Sequence, residues 1–435
     1  MGYKAPRGTR DILPQEASRW HILEEKFKEL CYIYDFAEIR TPIFEETELF
    51  VRSVGEESDV VKKEMYAFKD RGGRELALRP EGTAGVVRAY LEHGMHNITQ
   101  PVKIFYYGPM FRYDRPQAGR QRQFYQMGIE VFGTKEPSAD VEVIKFTAEF
   151  FFKLGFKNLK LHINSVGCPQ CRPSYQEDLK EFAREKLSSL CPDCQKRALL
   201  NPLRLLDCKT ESCRNLMNDS PQIDGYFCNS CREHFSEVLK LLKVLNVSYY
   251  VDPRLVRGLD YYTNTAFEFI SENIGAQGSL GGGGRYDNLV ESCGGPPVPG
   301  VGMAVGVERI VLAMEKEEFS LGKNEPEGVF LAIDGHDFRE EGLIMLYSMR
   351  EKGLRAEIDY LNRSLKGQMK FAHRSGFRYV IILGREEKLK NEVKLRDMLK
   401  GEQLELSYEE ALIFLIAERG HTFFRGMSPC SEKNN

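Results

Sequence analysis

Apolar residues recur along this chain at two periods. Trp20, Leu23, Phe27, Leu30 and Cys31 fall three or four apart, which predicts an amphipathic helix over 15–33. Ile39, Thr41 and Ile43 alternate instead. They predict a strand, and Pro42 within it marks an edge because proline has no N–H to give a sheet. Two strand-like runs in 64–78 flank Asp70, Arg71, Gly72 and Gly73, a turn sequence, and read as a hairpin. Glu81 and Gly82 follow, with Thr83 as the expected N-cap of a helix starting near Ala84. A buried strand opens at Ile104. Val141, Ile144, Ala148 and Phe151 draw a helical stripe on 138–154. Strands are expected at 159–164, 247–251 and 266–269, and a helix at 235–245. Residues 300–314 pass from alternation (Val301, Met303, Val305) to helical spacing (Val307, Ile310, Val311, Met314). That is a strand entering a helix, with Arg309 on its first turns.

Beyond a polar linker at 320–327 the pattern changes in kind. Strands at 328–333, 354–358, 379–383 and 392–395 alternate with helices at 338–352, 365–375 and 408–418, as in a compact α/β domain. The tail 426–435 is expected to be disordered.

At 435 residues the chain is too long for one ordinary domain. Its composition, 42% hydrophobic and 29% charged, is that of a soluble globular protein. It has neither an apolar run of membrane-spanning length nor an N-terminal signal core, so the expected place is the cytoplasm. The net charge of −3 excludes a nucleic-acid partner argued from bulk charge; local basic patches would have to meet one. The cysteines change the picture more. Eight of eleven lie between Cys168 and Cys231, in a stretch enriched in Pro, Asp and Lys that reads as an insertion. They pair as Cys168/Cys171, Cys191/Cys194, Cys208/Cys213 and Cys228/Cys231, three C-x₂-C and one C-x₄-C, all within zinc-ligand spacing. Two Cys₄ sites holding structural zinc would fold such a segment; free thiols are the alternative, and spacing alone leaves the pairing of the knuckles open.

The candidate chemistry gathers in 111–133. Arg112, Arg115, Arg120 and Arg122 surround the turn residues Pro116 and Gly119, and then Gln126, Gly128 and Glu130 alternate on one strand face. Strand, basic loop and returning strand make a hairpin with a positive mouth, and guanidinium groups suit phosphate and carboxylate oxygens. Glu130 runs into Val131 and Phe132, an odd setting for a surface carboxylate and a natural one for a pocket. Four consecutive glycines, 281–284, lead into Arg285, Tyr286 and Asp287 and would let backbone approach a ligand closely.

These constellations resemble the class II aminoacyl-tRNA synthetases, and specifically the histidyl-tRNA synthetase family. The Pro42 strand with the helix before it looks like motif 1, residues 111–133 like motif 2, and Gly300 to Arg309 like motif 3. The histidine-specific signals are the run Leu255, Val256, Arg257, Gly258, Leu259, Asp260, Tyr261, Tyr262 and the run Gly282 to Asp287. The resemblance implies an α+β catalytic domain on an antiparallel sheet (1–166 and 236–320), a Cys-rich insertion (167–235) and a C-terminal α/β anticodon-binding domain (327–425). It implies that L-histidine is activated with ATP and Mg²⁺ and transferred to tRNA(His) by a homodimer. By the same resemblance Arg112, Arg257 and Arg309 are catalytic; Arg112, Arg120, Phe124, Arg257 and Arg309 bind ATP, with Phe124 on adenine. Glu81 and Thr83 meet the α-amino group of histidine with Gln126 nearby, Arg112 touches its carboxylate and the α-phosphate, and Arg257 is a fixed cation at the α-phosphate; Gly82 and Arg257 also count among the histidine-binding residues. Glu130 and Tyr262 serve the imidazole, with Tyr261 and Tyr286 lining the pocket. Arg115 and Gln117 reach the tRNA acceptor end. Lys366 and Lys370, four apart in the last domain, share a helical face suited to phosphate. The alternative is a catalytically inactive histidine-sensing regulatory paralogue. Such relatives lose the catalytic arginines or the last domain, and both are present here.

Overall fold

The structure is a computed structural model that describes residues 2–56, 58–273, 278–317 and 326–423, with 336 and 419–423 described by backbone alone. The tail expected at 426–435 and most of the 320–327 linker lie outside the described residues. The chain divides into two compact units, Met1–Leu321 and Gly322–Asn435.

In the first unit α1 (Pro14–Ile33) buries Trp20, Leu23, Phe27 and Leu30, as their spacing requires. The ring of Phe27 stands edge-on to Phe105, Phe146 and Phe150. The strand expected over 39–43 does not form. β1 (Ala37–Glu38) stops short of it, and β2 (Phe44–Glu46) leads directly into α2 (Thr47–Val54). Pro42 offers no N–H, and the carbonyls that a neighbouring strand would use are taken by Arg79. Its Nη1 donates to the Thr41 and Pro42 oxygens at 3.0 and 3.4 Å, and its backbone N–H donates to Ile43 O at 2.9 Å. The hairpin β3 (Tyr66–Lys69) and β4 (Glu75–Leu78) closes through the expected turn, and β4 pairs β2 on its other edge.

α3 (Thr83–Glu92) departs from expectation at its cap. The Glu81 carboxylate, not the Thr83 hydroxyl, accepts the first N–H groups, those of Thr83 at 2.8 Å and Ala84 at 2.7 Å. A carboxylate suits the positive end of the helix, and Thr83 is thereby freed for another bond.

β5 (Val102–Phe111) and β6 (Gln123–Phe132) pair antiparallel along their whole length. α4 (Pro137–Lys153) and β7 (Lys160–Ser165) precede the insertion, which holds α5 (Arg172–Glu185), α6 (Pro192–Leu200) and α7 (Glu211–Leu216). The helix expected from Phe235 begins earlier, as α8 (Asn229–Val244), because the Cys228/Cys231 knuckle forms its first turn. β8 (Tyr250–Val251), β9 (Thr263–Ile270) and β10 (Ser279–Arg285) follow, then the short α9 (Leu289–Ser292), β11 (Gly300–Gly306) and α10 (Val307–Lys316). The eight strands of the main sheet run β1-β5-β6-β11-β10-β9-β7-β8, antiparallel except at the two outer pairs. Alternation sorts the faces of β6. Met127, Ile129 and Val131 enter the core shared with α1, α4 and α10, leaving Phe124, Gln126 and Glu130 to the opposite face.

The second unit comprises β12 (Val329–Ile333), α11 (Arg339–Glu351), β13 (Ala356–Ile358), α12 (Leu365–Arg374), β14 (Tyr379–Leu383), α13 (Arg385–Lys390), β15 (Val393–Asp397), β16 (Gln403–Leu406) and α14 (Tyr408–Phe423). Its sheet order is β13-β12-β14-β15-β16, with the first three strands parallel. Apolar clusters cover both faces, as a parallel sheet requires. α13 and β16 were not anticipated, because both are short and largely polar and β16 is an exposed edge.

Candidate active site

A cavity of about 850 Å³ opens on the free face of the main sheet. β6, β10 and β11 form its floor, the loop after β5 one wall, and the irregular stretch before β9 another. The insertion contributes Arg197, Arg204 and Cys208 to its rim. Cavities of this size hold drug-sized ligands.

At one end three guanidinium groups converge. Arg309 is mostly buried and donates to Ser279 O at 2.9 Å. Burial, then the positive fields of Arg120 and Arg112, pull it down to about 10. Three arginines set closely enough that two of them oppose the charge of Arg309 form a receptor for a polyanion. Arg120 pairs with Asp114 at 3.1 Å. Arg112 donates from Nε to Pro80 O at 2.8 Å and lies 5.4 Å above the Phe124 ring.

Arg257 stands nearby. Burial, the largest influence, opposes its charge, but the Glu268 carboxylate 2.9 Å away together with Tyr262 and Tyr261 more than offsets it and raises the guanidinium above its ordinary value. Glu268 also accepts from the Ser279 hydroxyl. The Nε of Arg257, the Nε of Arg120 and Oε1 of Gln126 are buried without a hydrogen-bond partner among the described residues. Donors and acceptors left unmet in one cavity are what an absent polar ligand would satisfy.

The other end is enclosed and aromatic. Glu130 is 1% exposed. It accepts from the Thr83 hydroxyl at 2.8 Å and, through its other oxygen, from the Tyr286 hydroxyl. Burial pushes its carboxyl up to about 8 against those bonds. Burial likewise raises Glu81, and raises the phenols of Tyr261 and Tyr286 far above their ordinary range. Tyr261 packs its ring 4.7 Å from Tyr262 and edge-on to Tyr286 at 5.7 Å. Two glycines are there for want of space. A Cβ on Gly302 would lie 1.7 Å from Glu130 Oε2, and one on Gly82 would lie 2.2 Å from the Tyr106 ring.

The expected residues divide as follows. Glu81, Thr83, Arg112, Arg120, Phe124, Gln126, Glu130, Arg257, Tyr261, Tyr262, Tyr286 and Arg309 line the one cavity, and Gly82 packs just behind it. Arg115 and Gln117 do not enter it. They are exposed at the tip of the hairpin, where Gln117 and Arg120 exchange backbone bonds around a turn. Arg285, in the glycine-rich run, serves the frame. It is 1% exposed and binds Asp140 at 3.1 Å, Asp287 at 3.2 Å and the carbonyls of Thr134 and Glu136. Sequence reasoning passed over Glu268, which orients Arg257. Its signal was the one used for Glu130, an acidic residue inside an apolar strand.

The eight insertion cysteines form two quartets, Cys168/Cys171/Cys228/Cys231 and Cys191/Cys194/Cys208/Cys213. Within each, the sulfurs all lie within 4.8 Å of one another. Backbone N–H groups aim at sulfur in both, Cys168 N to Cys171 Sγ at 3.3 Å and Cys191 N to Cys213 Sγ at 3.2 Å. Four soft donors at this spacing suit a tetrahedral thiophilic cation. In the second unit, Lys366, Lys370, His373 and Arg374 line a groove of about 670 Å³ on α12.

Residues 8–310 match the family model described as histidyl-tRNA synthetase, and 332–418 match an anticodon binding domain. A histidine–tRNA ligase of Desulforamulus reducens is 51% identical over 95% of this chain and 98% of its own length. One from Pelotomaculum thermopropionicum is 53% identical over 94% and 96%. The crystal structure of the apo Staphylococcus aureus histidyl-tRNA synthetase superposes with a TM-score of 0.81 at 38% identity, covering 95% of this chain and all of that one.

Proposed function

This chain belongs to the histidyl-tRNA synthetase family, and from that membership we propose a division of labour among the residues of its cavity. It is an ATP-dependent histidine–tRNA ligase of class II. The carboxylate of L-histidine attacks the α-phosphorus of ATP. An acyl–phosphate bond forms, the bond to the bridging oxygen breaks, and pyrophosphate leaves. The terminal adenosine of tRNA(His) then takes the histidyl group and AMP is released.

Such chemistry needs fixed positive charge where oxygen charge gathers, and little covalent help. Arg309 holds the terminal phosphates of ATP with Arg120. Arg112 and Arg257 meet the α-phosphate and the histidine carboxylate, and Phe124 stacks on adenine. Glu81, Thr83 and Gln126 receive the α-amino group. Glu130 and Tyr262 bracket the imidazole between Tyr261 and Tyr286, one accepting from a ring N–H and the other bonding the second nitrogen. The observation that carries this reading is the convergence of Arg112, Arg120 and Arg309 with Arg257 on one cavity whose far end is a buried carboxylate. Mg²⁺, when bound, offsets phosphate charge. The carboxylates of Glu268 and Glu308 in the same cavity are oxygen donors of the kind it takes and would hold it.

Arg115 and Gln117 approach the tRNA acceptor end, and the lysine face of α12 approaches the anticodon stem. The catalytic core comprises 1–166 and 236–320 around the insertion 167–235, with the anticodon-binding domain at 327–425. Both cysteine quartets hold structural zinc. The protein works as a cytoplasmic homodimer. Support for the dimer comes from four large apolar side chains left exposed within residues 32–44 of the motif 1 region, Tyr32, Ile33, Ile43 and Phe44. No helix among the described residues is long and apolar enough to cross a membrane.

Histidine-dependent exchange between ATP and labelled pyrophosphate tests the proposal. The expected result is exchange with histidine and none with other amino acids. Tight histidine binding without exchange would favour the regulatory reading instead. Sedimentation of the pure protein tests the dimer.

A further inference from the structure

The stretch from Asp252 to Tyr262 carries Arg257, Tyr261 and Tyr262 and, apart from turns, has no regular secondary structure. The sheet holds only the start of its backbone, where Asp252 N donates to Ile163 O at 3.0 Å and Asn164 Nδ2 donates to the Pro253 and Leu255 oxygens at 3.2 and 3.0 Å. Groups outside the sheet hold the rest, and the insertion supplies several of them. Arg172, next to Cys171, donates to Tyr262 O at 2.6 Å. Arg204 donates to Gly258 O and to Asp260 Oδ1, the latter at 3.3 Å. Asn201 donates to the same Asp260 oxygen at 3.1 Å. Arg197 pairs with Asp59 at 2.9 Å, in the wall beside the arginine end of the cavity.

Asn201, Arg204 and Arg197 lie on one stretch of chain, between Cys194 and Cys208. Both of its ends belong to the second quartet, so whatever draws the four sulfurs together closes this stretch as a loop. Without a central cation, four neighbouring thiols supply only weak S–H bonds to close it. With one, the loop's ends are fixed and its side chains reach Gly258 and Asp260 from a rigid base.

We propose that Cys191, Cys194, Cys208 and Cys213 form a metal clasp, taking zinc or a similarly thiophilic divalent cation, whose occupancy sets the activity of the histidine site. The clasp fixes the segment between Cys194 and Cys208, and Asn201 and Arg204 then hold the backbone of Gly258 and Asp260 so that Arg257 and Tyr262 face the substrate. Asn201 and Arg204 are positioning residues. They act through that backbone and touch no substrate. The proposal rests on the zinc reading given above and adds a role for one of the two sites.

The test uses the full chain, with zinc per chain measured by elemental analysis beside steady-state pyrophosphate exchange. Wild type is expected to carry two zinc ions per chain. Cys208→Ser is expected to carry one and to lose at least ~10-fold in kcat/KM for histidine, the scale of a misplaced reactive group. Arg204→Ala keeps both zinc ions and the wild-type melting temperature, yet raises the KM for histidine ~10-fold through Tyr262 and Arg257, with a smaller rise in the KM for ATP through Arg257 alone. Arg204→Lys, which still donates to Gly258 O, restores most of that loss. A general loss of folded protein would lower kcat and leave both KM values alone, so the split separates positioning from stability. Fewer than one zinc per wild-type chain overturns the zinc reading and the clasp with it. One zinc lost from Cys208→Ser with wild-type kinetics overturns the clasp alone. If Cys208→Ser does not fold, Arg204→Ala decides, and an unchanged KM for histidine refutes the proposal.

Discussion

Glu130→Gln separates what the buried carboxylate does for histidine from what it does to the fold. Glu130 is held at about 8 against an ordinary value of 4.5. The folded state therefore binds this proton more tightly than the unfolded chain does. A raised carboxyl contributes stability that is fully present below pH 4.5 and lost as the pH rises through 8. At ~1.4 kcal/mol per pH unit the loss amounts to ~3 kcal/mol at pH 7 and ~5 kcal/mol above pH 8. Glutamine has the same shape and does not titrate. Its carbonyl can accept from one of the Thr83 and Tyr286 hydroxyls and its amide can donate to the other, so the site stays satisfied. The variant should be more stable than wild type by ~4 kcal/mol at pH 7.5 in the absence of histidine, and level with it near pH 4.5. The measurement is the melting midpoint of the catalytic unit at pH steps from 4.5 to 8.5, with buffers of matched ionic strength. Histidine-dependent exchange should fall ~100-fold, because glutamine cannot release a proton to become the charged acceptor that Glu130 offers the ring N–H when histidine binds. Equal melting midpoints for the two proteins across that range, or a variant less stable at pH 7.5, would refute the assignment of a buried carboxyl whose ionisation the fold resists.

Arg257→Ala should abolish adenylate formation while histidine still binds. Single-turnover formation of the adenylate and equilibrium dialysis of histidine separate the two, and equal losses in both would contradict the assignment. Arg285→Met leaves Asp140 buried without its main partner, so the catalytic unit should lose ~3–5 kcal/mol, read from urea unfolding of the purified variant. Gly302→Ala puts a methyl where Glu130 Oε2 stands. It should cost ~1–3 kcal/mol and weaken histidine binding, with ATP-dependent steps affected only through histidine; a soluble variant with the wild-type KM for histidine would argue against the packing described.

Periodicity alone determined much of this protein. The apolar stripes of α1, α4 and α10 and the alternation on β6 follow from side-chain geometry, which is local. Gln126 and Glu130 could be assigned to one face before any fold was known, since a strand repeats every two residues. The motif residues were equally legible, as was the order of strands and helices after 327 apart from the short, polar α13 and β16. What sequence left undecided was who meets whom. Residues 39–43 look like a strand, yet a distant arginine, Arg79, takes their carbonyls. Thr83 looks like a helix cap, yet Glu81 caps the helix and Thr83 turns to Glu130. Arg285 looks like part of a ligand-binding run, and a buried Asp140 claims it. The four cysteine knuckles allow several pairings by spacing; the tertiary fold joins the first with the fourth and the second with the third. Each of these outcomes is a competition for a hydrogen bond, a charge or a sulfur between partners far apart in the chain. Local pattern supplies the competitors, and only the packed structure brings them within reach of one another.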